Sequence, residues 1–230
     1  MKPQFSVIIP TRNREQFLSE AVASVLSQAD VSLELLIVND GNALATTFKD
    51  KRIRILDNGM RTAVPARSLG VAEAAGEFIA FLDDDDFFID TRHLAKAANA
   101  FHQHTDFYFA NGEMRFPDGK VKLFDRSADA LSLEQDNTIL ISAVSYRKAI
   151  HNKLGSFDEA LPYYWDWDWY LRVARAGFKL HHESQPAVAI RVHQNNMSSA
   201  NEAARRANLD ALQVKHNLKQ IPLKNHVDFV

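Results

Sequence analysis

The sequence predicts an α/β fold: a mostly parallel, Rossmann-like sheet with helices on both faces. Three observations carry this. Compact apolar runs at residues 5–9, 33–38 and 78–82 have the length and composition of buried strands. Between them, apolar residues recur at helical spacing over 15–28 and 65–75, the strand–helix alternation that builds parallel sheets. Each apolar run also stops abruptly in a polar cluster, as strands do where they open onto a ligand-binding rim.

In chain order, the spacing predicts a first strand over 5–9, ended by Pro10. A helix follows over 15–28, with Phe17, Leu18, Ala21, Val22, Val25 and Leu26 on its apolar stripe. The second strand, 33–38, closes in Asn39, Asp40 and Gly41, and a short alternating third strand covers 52–56. A helix over 65–75 stops at Gly76, and 78–82 is the fourth strand. Beyond residue 90 the texture changes. A helix over 91–104 precedes a strand over 107–116, and Pro117-Asp118-Gly119-Lys120 turns it into a hairpin with 121–124. Residues 138–145 form another apolar segment. A Trp-rich helix spans 164–176, and a late strand spans 187–192. A last helix over 201–218 would turn Ala203, Ala207, Ala211, Val214 and Leu218 to one side. Residues 1–104 thus read as a nucleotide-binding half, 105–198 as a mixed second half of the same compact domain, and 199–230 as a C-terminal helix and tail.

Composition excludes several function classes. The chain has 230 residues, 46% hydrophobic and 24% charged, which suits one domain with a sizeable core. A net charge of −2 lacks the basic excess of a broad nucleic-acid surface. With no cysteine there are no disulfides or thiolate metal sites. The opening residues lack the apolar core of a signal peptide, and no apolar stretch approaches the roughly 20 residues of a membrane span. The expectation is a soluble, cytoplasmic protein, at most peripheral at the inner face of a membrane.

The densest chemistry is Asp83-Asp84-Asp85-Asp86, at the end of the fourth strand. Two carboxylates about 5 Å apart repel by roughly 3 kcal/mol at an effective dielectric near 20, and a hard divalent cation offsets that cost. An acidic solvated loop explains the run alone. It does not explain why strand one ends in Pro10-Thr11-Arg12-Asn13-Arg14 and strand two in Asn39-Asp40-Gly41, on the same rim.

Taken in order, VIIPTRNR, LIVNDG, PARSLGVAEAAGEFIAFLDDDD, GSFDEAL and DWDWYLRVARAG resemble the family 2 glycosyltransferases, enzymes of GT-A fold, over about residues 5–195. The resemblance implies an inverting transferase that moves a sugar from a nucleotide donor, usually a UDP sugar, to a hydroxyl of a saccharide or glycolipid acceptor. It implies Mn²⁺ or Mg²⁺ on the donor diphosphate, held by Asp83 and Asp85, with Asp84 near the ribose or metal and Asp86 behind them. Pro10, Thr11 and Arg14 match the first-strand nucleotide loop. Asp40 matches the aspartate that accepts from the uracil N3–H. Arg67 matches an arginine near base and phosphate; the next residue is Ser68 where the family usually has Asn. His193, in RVHQNNMS, matches a histidine that approaches the metal or diphosphate, although a lone histidine is also an ordinary structural hydrogen-bonder. Asp166 aligns with the catalytic base, with Trp165 in the place of a glutamate. If Asp166 opens its helix, the dipole favours its ionised form. Asp168 and Arg172 are spaced as an i, i+4 pair on an exposed helix face. The neighbouring tryptophans suit either core or sugar platform. The rivals are a sugar nucleotidyltransferase, which needs a Gly-rich loop after strand one, a haloacid dehalogenase-type phosphatase, which needs an Asp there, and a non-catalytic sugar-binding relative.

Overall fold

The computed structural model describes residues 2–59, 62–193, 196 and 201–230. The elements run β1 (Phe5–Thr11), α1 (Glu15–Leu26), β2 (Leu33–Asn39), β3 (Ile53–Asp57), α2 (Ala63–Glu73) and β4 (Phe78–Phe81). They continue with β5 (Phe87–Phe88), α3 (His93–His102), β6 (Phe107–Arg115), β7 (Val121–Phe124), β8 (Val144–Arg147), α4 (Ile150–Leu154), α5 (Trp165–Arg175), β9 (Leu180–Arg191) and α6 (Glu202–His216). A single sheet has the order β3-β2-β1-β4-β8-β6-β9-β5, with β7 paired to β6. The pairs β1·β2, β1·β4, β2·β3 and β6·β9 are parallel; β8 runs antiparallel between β4 and β6.

Alternation along β1 splits the core, because successive strand side chains point to opposite faces. Phe5, Val7 and Ile9 join α1 and α3 on one face; Ile8 joins α2, α5 and α6 on the other. Helices therefore cover both faces, as expected. Close packing demands two glycines. A Cβ on Gly70 would lie 2.6 Å from Ile8 Cγ2, and one on Gly76 would lie 2.6 Å from the Ser6 nitrogen.

The structure departs from the sequence reading in five places. Pro10 does not end β1: the strand continues to Thr11, pairing with β2 alone once β4 has stopped, so the missing N–H breaks no ladder on that free side. The segment 138–145 is a 3-10 turn over Ile141–Ala143 leading into β8. Strand β9 begins at Leu180, because polar residues such as His181, His182 and Glu183 hide its start from a hydrophobic reading. Helix α6 buries Arg205, Leu209, Leu212 and His216, while Val214 is 84% exposed, so the alanine face was the wrong face. The two-residue β5 and the short α4 carry too little periodicity to be foreseen. Among the described residues, no helix is long and apolar enough to cross a membrane.

Candidate active site

The parallel strands deliver their C-terminal ends to one rim. Thr11, at the end of β1, is buried and donates from Oγ1 to Asp84 Oδ2 at 2.7 Å. Arg14 sits 2.7 Å from Asp85 Oδ2 and 3.5 Å from Asp84 Oδ1. Asp40, after β2, is buried; its Oδ1 accepts from Asn58 Nδ2 at 2.6 Å, and Arg12 lies 3.6 Å from Oδ2. Asn58 is a partner the sequence reading missed.

After β4 the aspartates fan out. Asp84 turns back to Thr11 and Arg14 and away from the others. Asp83, Asp85 and Asp86 each bring one carboxylate oxygen within 4.8 Å of the other two. Three hard oxygen donors this close fit a Mg²⁺ or Mn²⁺ ion. Asp83 is also ion-paired to Arg67, whose guanidinium lies 4.8 Å from the Trp165 ring centroid. Asp86 is fixed by Ser142 Oγ, 2.5 Å away, and by the Arg191 backbone N–H at 3.1 Å. Ser142 and Arg191 had no sequence signal, because nothing local links them to the acidic run. His193 stands 3.0 Å from Asp85 Oδ2, beside this group; Gln194, Asn195, Met197 and Ser198 of the same motif lie outside the described residues. Burial raises the Asp84 carboxyl to about 6, and burial with the charge of neighbouring aspartates pushes Asp85 and Asp86 up as well. A bound cation would remove that repulsion.

Pro10, Thr11, Arg14, Asp40, Arg67 and the four aspartates Asp83 to Asp86 line one cavity of about 650 Å³. Asp166, on the first turn of α5, lines it too, and so do Asn137, Lys224, His226 and Phe229. Asn137 Nδ2 donates to Asp166 Oδ2 at 3.0 Å, and the Trp167 backbone N–H donates to Oδ1 at 2.8 Å. The helix end does not keep this carboxyl at its ordinary acidity. Burial outweighs the Asn137 and Trp167 hydrogen bonds and pushes it up to about 6, a suitable range for a group that takes a proton near neutrality.

Asp168 is not on an exposed face. Its side chain is 0% exposed, 2.8 Å from Arg172 Nε and 2.7 Å from both Lys215 Nζ and His216 Nε2. Burial alone would raise its carboxyl, but the His216 and Lys215 hydrogen bonds and the Arg172 charge overcome it and hold it down to about 2. Lys215 and His216 come from α6, which the sequence did not connect to α5. Trp165, Trp167 and Trp169 are all buried, and the Trp167 indole N–H donates to the Leu133 carbonyl at 2.7 Å; Trp165 and Trp167 also line the cavity beside Asp166.

Comparisons with known proteins bear on the family and the fold. Residues 6–154 match the family described as Glycosyl transferase family 2. The Bacillus subtilis (strain 168) protein YwdF, described as an uncharacterized glycosyltransferase, is 32% identical over 238 residues, covering 96% of this chain and 87% of that protein. The Escherichia coli UDP-Glc:alpha-D-GlcNAc-diphosphoundecaprenol beta-1,3-glucosyltransferase WfgD is 34% identical over 115 residues, 47% of this chain and 46% of WfgD. Some relatives are much longer: the match to a Rickettsia conorii glycosyltransferase covers 20% of that protein. Among solved structures, S. aureus TarS 1-349 in complex with UDP-GlcNAc superposes with a TM-score of 0.71 at 19% identity, over 94% of this chain and 68% of that one. The Pyrobaculum calidifontis mannosyltransferase PcManGT, in complex with GDP-Man and Mn²⁺, gives 0.64 at 15% identity, over 96% and 66%. At these identities the structural likeness speaks to the GT-A fold.

Proposed function

The chain belongs to glycosyl transferase family 2 and is a glycosyltransferase enzyme, and from that premise we propose that it moves a sugar from a UDP sugar to a hydroxyl of a saccharide or glycolipid acceptor by one inverting displacement. The observation that carries the proposal is that the Asp83, Asp85 and Asp86 carboxylates and the Asp166 carboxylate open onto one cavity. Asp166 accepts the acceptor hydroxyl proton as its oxygen attacks the anomeric carbon. The bond to the nucleoside diphosphate breaks on the opposite face. One base serves this step and no covalent intermediate forms.

The nucleotide lies at the β1–β2 end. Pro10 and Thr11 shape its floor, Arg14 and Arg67 offer positive charge to the phosphates, and Asp40 accepts from the base edge. Asp83 and Asp85, with His193 beside them, hold a Mn²⁺ or Mg²⁺ ion; Asp86 is the third oxygen donor of that group. When bound, such an ion neutralises charge on the departing diphosphate. UDP-GlcNAc in the TarS complex, GDP-Man and Mn²⁺ in the PcManGT complex and the UDP-Glc donor of WfgD support a nucleotide-sugar reading. The proposed setting is the cytoplasm, at the inner face of a membrane where the acceptor is a glycolipid of surface-polysaccharide assembly.

Thermal-shift screening of UDP, GDP, CDP and their sugars, each with and without Mn²⁺, tests this directly. UDP compounds with Mn²⁺ should give the largest stabilisation, because cytosine offers no N3–H donor to Asp40. Calorimetry of Asp85→Asn should then lose most metal-dependent UDP affinity while the fold survives. Unchanged affinity and Mn²⁺ dependence would place the site elsewhere, a clear preference for CDP would remove the role given to Asp40, and one for GDP would overturn the choice of a uridine donor.

A further inference from the structure

The Asp166 carboxylate accepts from the backbone N–H of Trp167 on its own helix. A second donor comes from far along the chain: Asn137 Nδ2, 3.0 Å from Oδ2. The remaining amide atom, Asn137 Oδ1, is buried with no partner among the described residues. Turning the amide over would set Oδ1 against the carboxylate, so the contact with Asp166 fixes its orientation. Asn137 is in turn tied to the C-terminal tail. Lys224 Nζ is 2.6 Å from Asp136 Oδ1, and the His226 ring faces the Asn137 backbone. The tail is itself anchored to α6: Arg206 Nη1 donates to the Ile221 carbonyl at 2.8 Å and Arg205 Nη2 to the Lys224 carbonyl at 2.9 Å.

We propose that Asn137 is a positioning residue for the Asp166 carboxylate, and that the tail, through Lys224 and His226, holds Asn137 in place. The proposal rests on the reading of Asp166 as the base. An amide N–H can only donate, so Asn137 favours the ionised, proton-accepting form and aims one oxygen. The other titratable and charged groups facing this carboxylate are Arg67 from α2, Tyr170 from α5 and Tyr164 just before it, with Asp136, Lys224 and His226 behind Asn137. Arg67 opposes protonation as Asn137 does, while burial favours it.

The test is a carboxyl-carbon NMR titration of ¹³C-Asp-labelled protein, with the Asp166 signal assigned by its loss in Asp166→Asn. In Asn137→Ala the Asp166 midpoint should rise by about one pH unit or more, the size expected for losing a hydrogen bond to a charged group. The isosteric Asn137→Asp, which preserves packing but sets a second carboxyl against the first, should raise it further. His226→Phe should raise it by less. The acid limb of UDP release, from the UDP sugar selected by thermal shift, should move with the midpoint. UDP and Mn²⁺ affinities should stay put. An unmoved midpoint in both Asn137 variants overturns the proposal, and an unmoved midpoint in His226→Phe alone removes the tail from it. Undiminished transfer in Asp166→Asn overturns the base reading instead, so the two failures are distinguishable.

Discussion

Asp166 and Asp168 are two residues apart on one helix, yet tertiary structure gives them opposite acidities. Asp166 meets one side-chain amide and is pushed up to about 6; Asp168 meets two cations and a histidine and is held at about 2. Asp166→Asn should cut transfer by a factor of about 10² to 10⁴ while leaving UDP and Mn²⁺ affinity near wild type. In the wild type, transfer should fall as pH drops through about 6, because a protonated carboxyl cannot accept the hydroxyl proton. Asp168→Asn should do the reverse. Removing a buried carboxylate from Arg172, Lys215 and His216 should cost about 3 kcal/mol of stability, read as a lowered thermal midpoint, with turnover per folded molecule retained. The contribution of Asp168 is present above about pH 4 and is lost as pH falls toward 2. If a folded Asp168→Asn loses transfer while Asp166→Asn keeps it, the base is Asp168.

Helix α3 carries a different kind of buried polar group. His93 opens it, is 0% exposed, packs against the rings of Phe88 and Tyr108, and has no partner on either ring nitrogen among the described residues. Burial lowers its pKa to about 4, so the folded protein holds it neutral. Between pH 6.5 and 4 the unfolded chain takes up a proton that the folded chain refuses. Stability from this residue is therefore whole above pH 6.5 and falls by about 3 kcal/mol as pH drops to about 4. His93→Leu should be more stable at neutral pH, by about 1–3 kcal/mol, because an unpaired buried polar group is replaced by an apolar one. Its denaturant midpoint should also depend less on pH across 4–6.5. An equal acid dependence in the two proteins would reject this account of α3. Helix α6 teaches the same lesson: its buried stripe includes Arg205 and His216, because partners on the tail and α5 make those positions the inward ones.

At the scale of the molecule, β8 joins what the sequence reads as two halves. It pairs with β4 through Ile79↔Tyr146 and with β6 through Phe107↔Tyr146, so Tyr146 touches both. The core on the α2–α5 face runs without a break from Ile8 to Trp169 and Leu212. Unfolding should accordingly be one cooperative transition, with equal calorimetric and van't Hoff enthalpies. A fragment of residues 1–104 should not fold alone, since it would leave the β4 edge unpaired and Phe81 without Tyr146, Phe157 and Trp165. Two resolved calorimetric transitions would show that the halves are independent.

The sequence by itself determined the strands of the first half and the carboxylates at their ends. Those features are local: apolar runs such as Phe78–Phe81 must be buried, and an aspartate directly after such a strand must emerge on the ligand rim. The order of the motifs was enough to indicate the family. Tertiary structure alone decided which polar residues are buried and against what. Asp168 reads as a surface residue until α6 brings Lys215 and His216 to it. Asn137, Ser142 and Arg191 carry no local pattern, and they matter only because the sheet and tail fold them against Asp166, Asp83 and Asp86. Hydrophobic periodicity records how a segment partitions between core and water. It does not record pairings between residues distant in sequence, and those pairings set the acidity and orientation of the groups in the cavity.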